Sequence, residues 1–335
     1  MPRSRIWLAA GLSVTLLLGV SLASLALGIV RIPVGETLAG LFSPNDVPHR
    51  TSAVLWTIRL PRVVVAMLVG AALAISGVVM QAILRNPLAE PGITGVSAGA
   101  AVGAVASMTL GFTGSAQWGI PIAAFIGAAA VTLVLQFVLH TRRDLGSATV
   151  ILIGVSLSAL AGALINILVA NASDDAVVRS AMFWLAGDLE LRTWQHAALA
   201  VAPIVLGGAW ILGRHRQLDA LALGDQIAAT SGVHVHRERF TLLLVASLVT
   251  GAAVAVSGVI SFVGLVVPHA MRLLIGASHA RLLPLSALGG ALFMVVADTI
   301  ARTAFGAVVV QTGVVAALIG APVFLALLLR RGARS

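Results

Sequence analysis

The chain has 335 residues, 59% of them hydrophobic and only 10% charged, with a formal net charge of +9. It has no cysteine, which excludes disulfides and thiolate metal sites. All 21 Lys-plus-Arg positions are arginine; without the lysine of a phosphate-binding P-loop the chain is no P-loop ATPase, and energy for any work comes from an ion gradient or a partner.

A helix needs about 20 apolar residues to cross the hydrocarbon core. Runs of that kind, punctuated by Gly, Pro and charge, place spans near 6–30, 63–84, 93–111, 118–139, 148–170, 194–213, 240–258, 262–279, 282–302 and 307–329. The expected fold is an all-α polytopic membrane protein of about ten transmembrane helices in a single domain, 1–335. The first run follows Arg3 and Arg5 and exceeds the roughly 7–15-residue core of a signal peptide, so it is expected to remain as a span. The uncharged stretch 240–271 is too long for one crossing and is basic at both flanks; two crossings with a turn near 258–264 satisfy both facts. The positive charge fits inner-face loops better than nucleic acid, which is not an expected partner.

Topology follows from the arginines. With the N-terminus inside, Arg3, Arg5, Arg85, Arg142, Arg143, Arg214, Arg216, Arg237, Arg239, Arg272, Arg281, Arg330, Arg331 and Arg334 all fall on the inner side, and the acidic segment 171–190 falls outside. N-in, C-in is therefore expected. Within this frame, residues 70–80 (GAALAISGVVM) in span two are echoed by residues 251–261 (GAAVAVSGVIS) at the end of span seven, with seven identities in eleven positions. Five spans apart, the copies cross in opposite directions, as in the inverted repeats of transporters; spans 2–5 and 7–10 would be the two halves. The alternative is chance similarity, since small residues are common where transmembrane helices pack.

Four arginines, Arg31, Arg50, Arg59 and Arg62, fall on the outer side, against the positive-inside rule. They either snorkel to headgroups or meet an acidic partner or substrate. Arg59 and Arg62, at i and i+3, share a face at what reads as a helix start, where they oppose the macrodipole. Asp298 is the one carboxylate within a proposed span, and Arg302 at i+4 is placed to pair with it. One buried acid is thin provision for a proton-coupled carrier.

The long inner loop 214–239 reads as two short helices. One runs through Leu218, Asp219, Ala220, Leu221, Ala222 and Leu223 to Gly224; the next begins at Asp225 and ends near Gly232. It is longer than a plain connector needs and is expected to dock a partner. No histidine pair has helical metal-ligand spacing, and no nucleophile–base arrangement stands out, so neither a metal site nor an enzyme is expected.

Taken in order, RLPR (59–62), SGVVMQ (76–81), RNPLAEPG (85–92), GVSAGA (95–100), LALG (221–224), SFVGLVVPHAMR (261–272), RLLPLSA (281–287), ADTIAR (297–302) and GVVAALIGAP (313–322) closely resemble the permease family of ABC importers for iron chelates, haem and cobalamin. The resemblance covers essentially the whole chain. It implies a non-catalytic inner-membrane subunit, surrounded by lipid. Its implied partners are a second permease, two cytoplasmic ATP-binding subunits that carry the ATP and magnesium, and an external substrate-binding protein. By motif match, Arg59, Arg62 and Arg302 would receive carboxylates of the binding protein. Asn86, Leu88 and Ser147 would contribute to the inner gate. Leu218, Leu221, Leu223, Gly224, Asp225, Ala228 and Gly232 would form the element that couples to the ATPase. One departure stands out: Val309, Val310, Gln311 and Thr312 replace the acid- and proline-containing turn that the family usually carries before GVV.

Overall fold

The computed structural model describes residues 3–28, 30–111, 118–141, 146–304 and 310–332. Arg142, Arg143, Val309 and Arg334 lie outside them, and the side chains of Arg3, Arg5, Arg330 and Arg331 are likewise not described. Among the described residues the secondary structure is helical, with no strand. In chain order the helices are α1 (Arg3–Ala26), α2 (Val34–Phe42), α3 (His49–Ala53), α4 (Leu60–Ile83), α5 (Val96–Thr109), α6 (Gly119–Thr141), α7 (Ser147–Ala170), α8 (Asp175–Leu185), α9 (Trp194–Gly213), α10 (His215–Leu223), α11 (Asp225–Thr230), α12 (Val235–Ser257), α13 (Val263–Ile275), α14 (His279–Thr303) and α15 (Thr312–Gly332).

Seven helical stretches are long and apolar enough to cross a membrane, and α5, α13 and the apolar part of α15 are shorter apolar segments. Together they occupy the ten expected positions. Three short helices were not anticipated: α2 and α3 in the loop between the first two spans, and α8 within the acidic segment 171–190. There the Asp174 side chain accepts from the Ala176 N–H at 2.8 Å and so caps α8.

The start of span two needs correction. Arg59 and Arg62 read as a helix start, yet helix runs continuously through Pro61 over His49–Ile83. A π-helical turn at Val54–Arg59, in which the Leu60 N–H reaches back to the Leu55 carbonyl, joins α3 to α4. Widening the helix here makes room for the proline ring, which would otherwise crowd the preceding turn. Arg59 and Arg62 are thus inside a long helix rather than at its N-terminus, and the expected conflict with the macrodipole does not arise.

The two halves pack reciprocally, as an inverted repeat requires. α4 of the first half lies along α14 of the second, while α12 of the second half lies along α6 of the first; α4 also touches α13, as α12 touches α5. The echoed glycines sit in these seams. A Cβ on Gly70 would lie 2.1 Å from the Gly290 carbonyl oxygen, and one on Gly290 would lie 2.1 Å from that of Gly70, so neither position accepts a side chain. Its repeat mate Gly251 faces Ala128 of α6, with a looser 2.8 Å to the alanine methyl. Interhelical hydrogen bonds add to these seams: Ser76 Oγ donates to the Ala246 carbonyl at 3.1 Å, and Gln81 Nε2 to that of Leu265 at 3.2 Å.

The repeat is not exact, and the difference matters. Ser76-Gly77-Val78 continues as helix in α4, whereas Ser257-Gly258-Val259 ends α12. At Gly258 the backbone turns to φ 71°, and the Ser257 carbonyl accepts from the Asp188 N–H at 2.8 Å. The segment after α8 therefore captures the chain end of α12, and an extended link leads to Phe262 and α13.

Candidate functional site

Three polar sites lie along α4. About 21 residues separate Arg62 from Ile83, so they span roughly 32 Å at the helical rise.

The first site gathers Arg59, Arg62 and Arg302 around the end of α1. Arg59 is buried and donates to the carbonyls of Leu25, Ala26 and Val30. Arg302 donates to the carbonyls of Ser24 at 3.1 Å and Leu27 at 3.2 Å, and to the Ser24 hydroxyl at 2.7 Å. These groups include carbonyls that a helix terminus leaves without intrahelical partners, and positive charge is favourable there. Arg62 reaches Asp298 of α14: its Nε lies 2.9 and 3.1 Å from the two carboxylate oxygens and its Nη2 2.7 Å from one. Arg302 Nε reaches the other oxygen at 3.1 Å, which is the anticipated i, i+4 pair. The Thr312 hydroxyl donates to the same carboxylate at 3.1 Å. Asp298 is 1% exposed; Arg62 and Arg302 are 12% and 14% exposed.

The Arg59 guanidinium is occupied as a cap for α1 and is largely buried. Arg62 and Arg302, 12% and 14% exposed, are the more open of the three, and both already hold a carboxylate. Thr312, in the segment where the chain departs from the family pattern, supplies part of the hold on Asp298.

The second site is the turn after α4. Arg85 follows the helix with φ 49°, then Asn86 Oδ1 accepts from the Leu88 N–H at 2.9 Å and the Asn86 carbonyl from the Ala89 N–H at 3.1 Å. Leu88 is exposed and Ala89 is buried. Ser147 opens α7, and that helix packs on the segment after this turn, where a Cβ on Gly154 would lie 2.0 Å from the Ile93 carbonyl oxygen. The chain then folds back inward, so that Glu90 Oε2 accepts from the Phe262 N–H at 3.3 Å and lines a cavity of about 240 Å³ with Ser97, Ser261 and Gly264. Burial raises the Glu90 carboxyl above its usual range, and the Phe262 hydrogen bond opposes that in part. Glu90, half-buried here, was not anticipated as a partner of the α13 start, because the segment is read only as the turn after span two.

The third site is the loop between α9 and α12. Gly224, with φ 123°, separates α10 from α11, and Gly232, with φ 82°, follows α11, as the glycine spacing implies. α10 begins three residues earlier than expected, at His215. The expected coupling residues divide by face. Leu218, Leu221 and Ala228 are buried in the core, so they anchor the loop rather than present a surface. Leu223, 68% exposed, and Ile227 line an open groove of about 470 Å³ with Arg216, Asp219, Gly232 and Val233. Asp219 accepts from the His279 N–H at 2.9 Å and lies 2.6 Å from His279 Nδ1, fixing α10 to the start of α14. Asp225 Oδ1 accepts from Arg85 at 3.1 Å and Arg239 at 2.8 Å. Beside them, Arg214 pairs with Glu238 at 2.6 Å and lies over the Trp210 ring.

Among the described residues no group of three or more His, Cys, Asp or Glu side chains could hold a metal ion. The chain matches the FecCD transport family over residues 16–330. It belongs to that family. Relatives of this FecCD protein include the cobalamin import system permease protein of Halobacterium salinarum, 45% identical over 86% of this chain and 77% of its own length. The hemin transport system permease protein of Yersinia pestis is 43% identical over 83% of this chain and 84% of its own. The Fe(3+) dicitrate transport system permease protein of Escherichia coli is 41% identical over 94% and 96%. A solved structure described as a metal-chelate type ABC transporter in an inward-facing conformation superposes with a TM-score of 0.85 at 31% identity, covering 96% of this chain and 99% of that one. Like those relatives, this FecCD protein is a multi-pass permease of the ABC importers, and its family implies ATPase and substrate-binding partners.

Proposed function

We propose that this chain is the membrane subunit of an ATP-driven importer that carries an iron chelate, a siderophore complex or haem, across the inner membrane. The observation that carries this reading is the match, over 83% and 94% of this chain, to permeases named for hemin and Fe(3+) dicitrate, together with the 0.85 TM-score to a metal-chelate type transporter. The absence of lysine from the sequence agrees with ATP hydrolysis on separate subunits.

In this reading both termini face the cytoplasm. A binding protein offers carboxylates to Arg62 and Arg302 at the outer end of α4, with Arg59 supporting them from beneath. The cargo passes between two permease copies or paralogues, and the turn of Asn86 and Leu88 with the start of α7 at Ser147 closes the inner end. The groove at Leu223, Ile227 and Gly232 receives the ATPase, and lipid covers the remaining apolar faces. Delivered by a binding protein, the cargo needs no strong ligands from the permease, which accounts for a chain of so few charges.

A second reading, cobalamin as cargo, is favoured by the 45% identity to the archaeal cobalamin permease. Growth of a deletion strain decides between them. Loss of growth on haem or a ferric siderophore as the iron source, with cobalamin use intact, is the expected result; a defect confined to cobalamin overturns the iron reading. Uptake into vesicles containing the chain alone, driven by a proton gradient, would overturn the ATP-driven reading itself.

A further inference from the structure

We propose that the ion pair between Arg85 and Asp225 is the mechanical link from the coupling helix α11 to the inner-gate turn, which makes Arg85 a positioning residue of the gate. The inference rests on the reading that the α10–α11 groove receives an ATPase.

The backbone at Arg85 carries the first argument. Leu84 caps α4, so Arg85 occupies the position just past the helix end, and its φ is 49°. Glycine is the usual residue there because a Cβ is strained in the left-handed region. Keeping an arginine against that preference calls for a use of its side chain, and strained non-glycine residues concentrate at functional positions.

The second argument is where the side chain goes. Its Nη2 meets Asp225 Oδ1 at 3.1 Å, at the first residue of α11. Its Nη1 lies against Gly224, where an added Cβ would come within 3.7 Å of it. Arg239, from the first turns of α12, holds the same Asp225 oxygen at 2.8 Å. Asp225 thus joins three elements: the end of α4, the break between α10 and α11, and the start of α12.

The third argument is energetic. Arg85 and Asp225 are 42% and 44% exposed. A pair so open to water adds little to stability, so fold stability does not explain the strained arginine. The anchors of the inner loop are elsewhere, in buried Leu218, Leu221 and Ala228 and in the Asp219–His279 contact. Directly after Arg85, the hydrogen bonds that the Leu88 and Ala89 N–H groups donate to Asn86 make the gate turn a closed local unit. A displacement of α11 therefore reaches Leu88 through one ion pair and one turn.

The chain's lack of cysteine makes the test direct. The single variant Leu88→Cys, assembled with the ATPase partner in nanodiscs, is labelled with a membrane-impermeant maleimide with and without ATP and vanadate. With Arg85 in place, the labelling rate is expected to change with nucleotide by about fivefold or more, the lower end of coupling between sites. Arg85→Gly relieves the backbone strain, so thermal stability and ATP hydrolysis hold while the ratio falls to near unity. Arg85→Lys keeps a cation in reach and retains most of the response. A full nucleotide response in Arg85→Gly overturns the link. If the Leu88→Cys protein with Arg85 intact shows no response, the coupling reading of the groove fails, and this proposal fails with it.

Discussion

Replacing Asp298 with asparagine is the sharpest test of the network around that carboxylate. The variant keeps the side-chain shape but removes the charge that holds Arg62 and Arg302 and that accepts from Thr312. Taking one partner from a buried ion pair costs about 3–5 kcal/mol. Both arginines retain 12–14% exposure, and Arg302 keeps its bonds to α1, so solvent and those bonds reduce the expected loss to about 2–4 kcal/mol. At about 2 °C per kcal/mol for a long chain, the purified protein should melt about 4–8 °C lower. The comparator is Thr312→Val, which deletes one hydrogen bond to the same carboxylate and should cost about 0.5–1.5 kcal/mol. Thermal unfolding followed by tryptophan fluorescence in nanodiscs measures both. A melting temperature for Asp298→Asn no lower than that of Thr312→Val would refute the argument that this carboxylate neutralises two guanidiniums.

At the α4–α14 seam, Gly70→Ala and Gly290→Ala should both destabilise strongly, since the methyl meets backbone rather than a movable side chain; Gly251→Ala, facing only the Ala128 methyl, should be milder in the same thermal assay. In the inner loop, Leu223→Glu or Ile227→Glu should abolish co-purification of the ATPase while leaving the melting temperature near that of the native protein. Leu218→Ala should instead lower stability by about 2–5 kcal/mol, because it opens a cavity in the core. Glu90 supplies a pH signature. Its carboxyl is raised in the folded protein, so the unfolded state releases that proton at lower pH, and the stability contributed by the protonated form is lost as pH rises through the interval between the two values. Glu90→Gln should flatten the melting temperature over that interval, and an unchanged pH dependence would remove Glu90 as its source.

Much of the transmembrane organisation was legible because hydropathy is a local property. A run such as 148–170 is apolar wherever it packs, and α7 occupies Ser147–Ala170. The inner-loop helices were equally legible, since a left-handed turn needs glycine and the sequence offers Gly224 and Gly232 in the required places. The continuous helix across Pro61 was not, because a π turn that accommodates the ring leaves no mark of its own in the sequence. Nor was the division of the coupling residues: Leu221 and Leu223 are alike in composition, and only the surrounding core decides that one is buried and the other exposed.

The sequence by itself determined an arginine-only, cysteine-free membrane chain, its apolar segments and the pairing of Asp298 with Arg302, one helical turn away. Tertiary structure decided what no local pattern encodes. It brought Arg62 to Asp298 across 236 positions, set Arg59 on the carbonyls at the end of α1, and drew Glu90 to the Phe262 N–H at the start of α13. It also gave one tripeptide two conformations, helical at Ser76-Gly77-Val78 and broken at Ser257-Gly258-Val259. The physical reason is the same throughout: a charge or a freed backbone group inside the membrane must find its partner within the protein, and that partner is chosen by which helices the packing of apolar faces and glycine seams brings together.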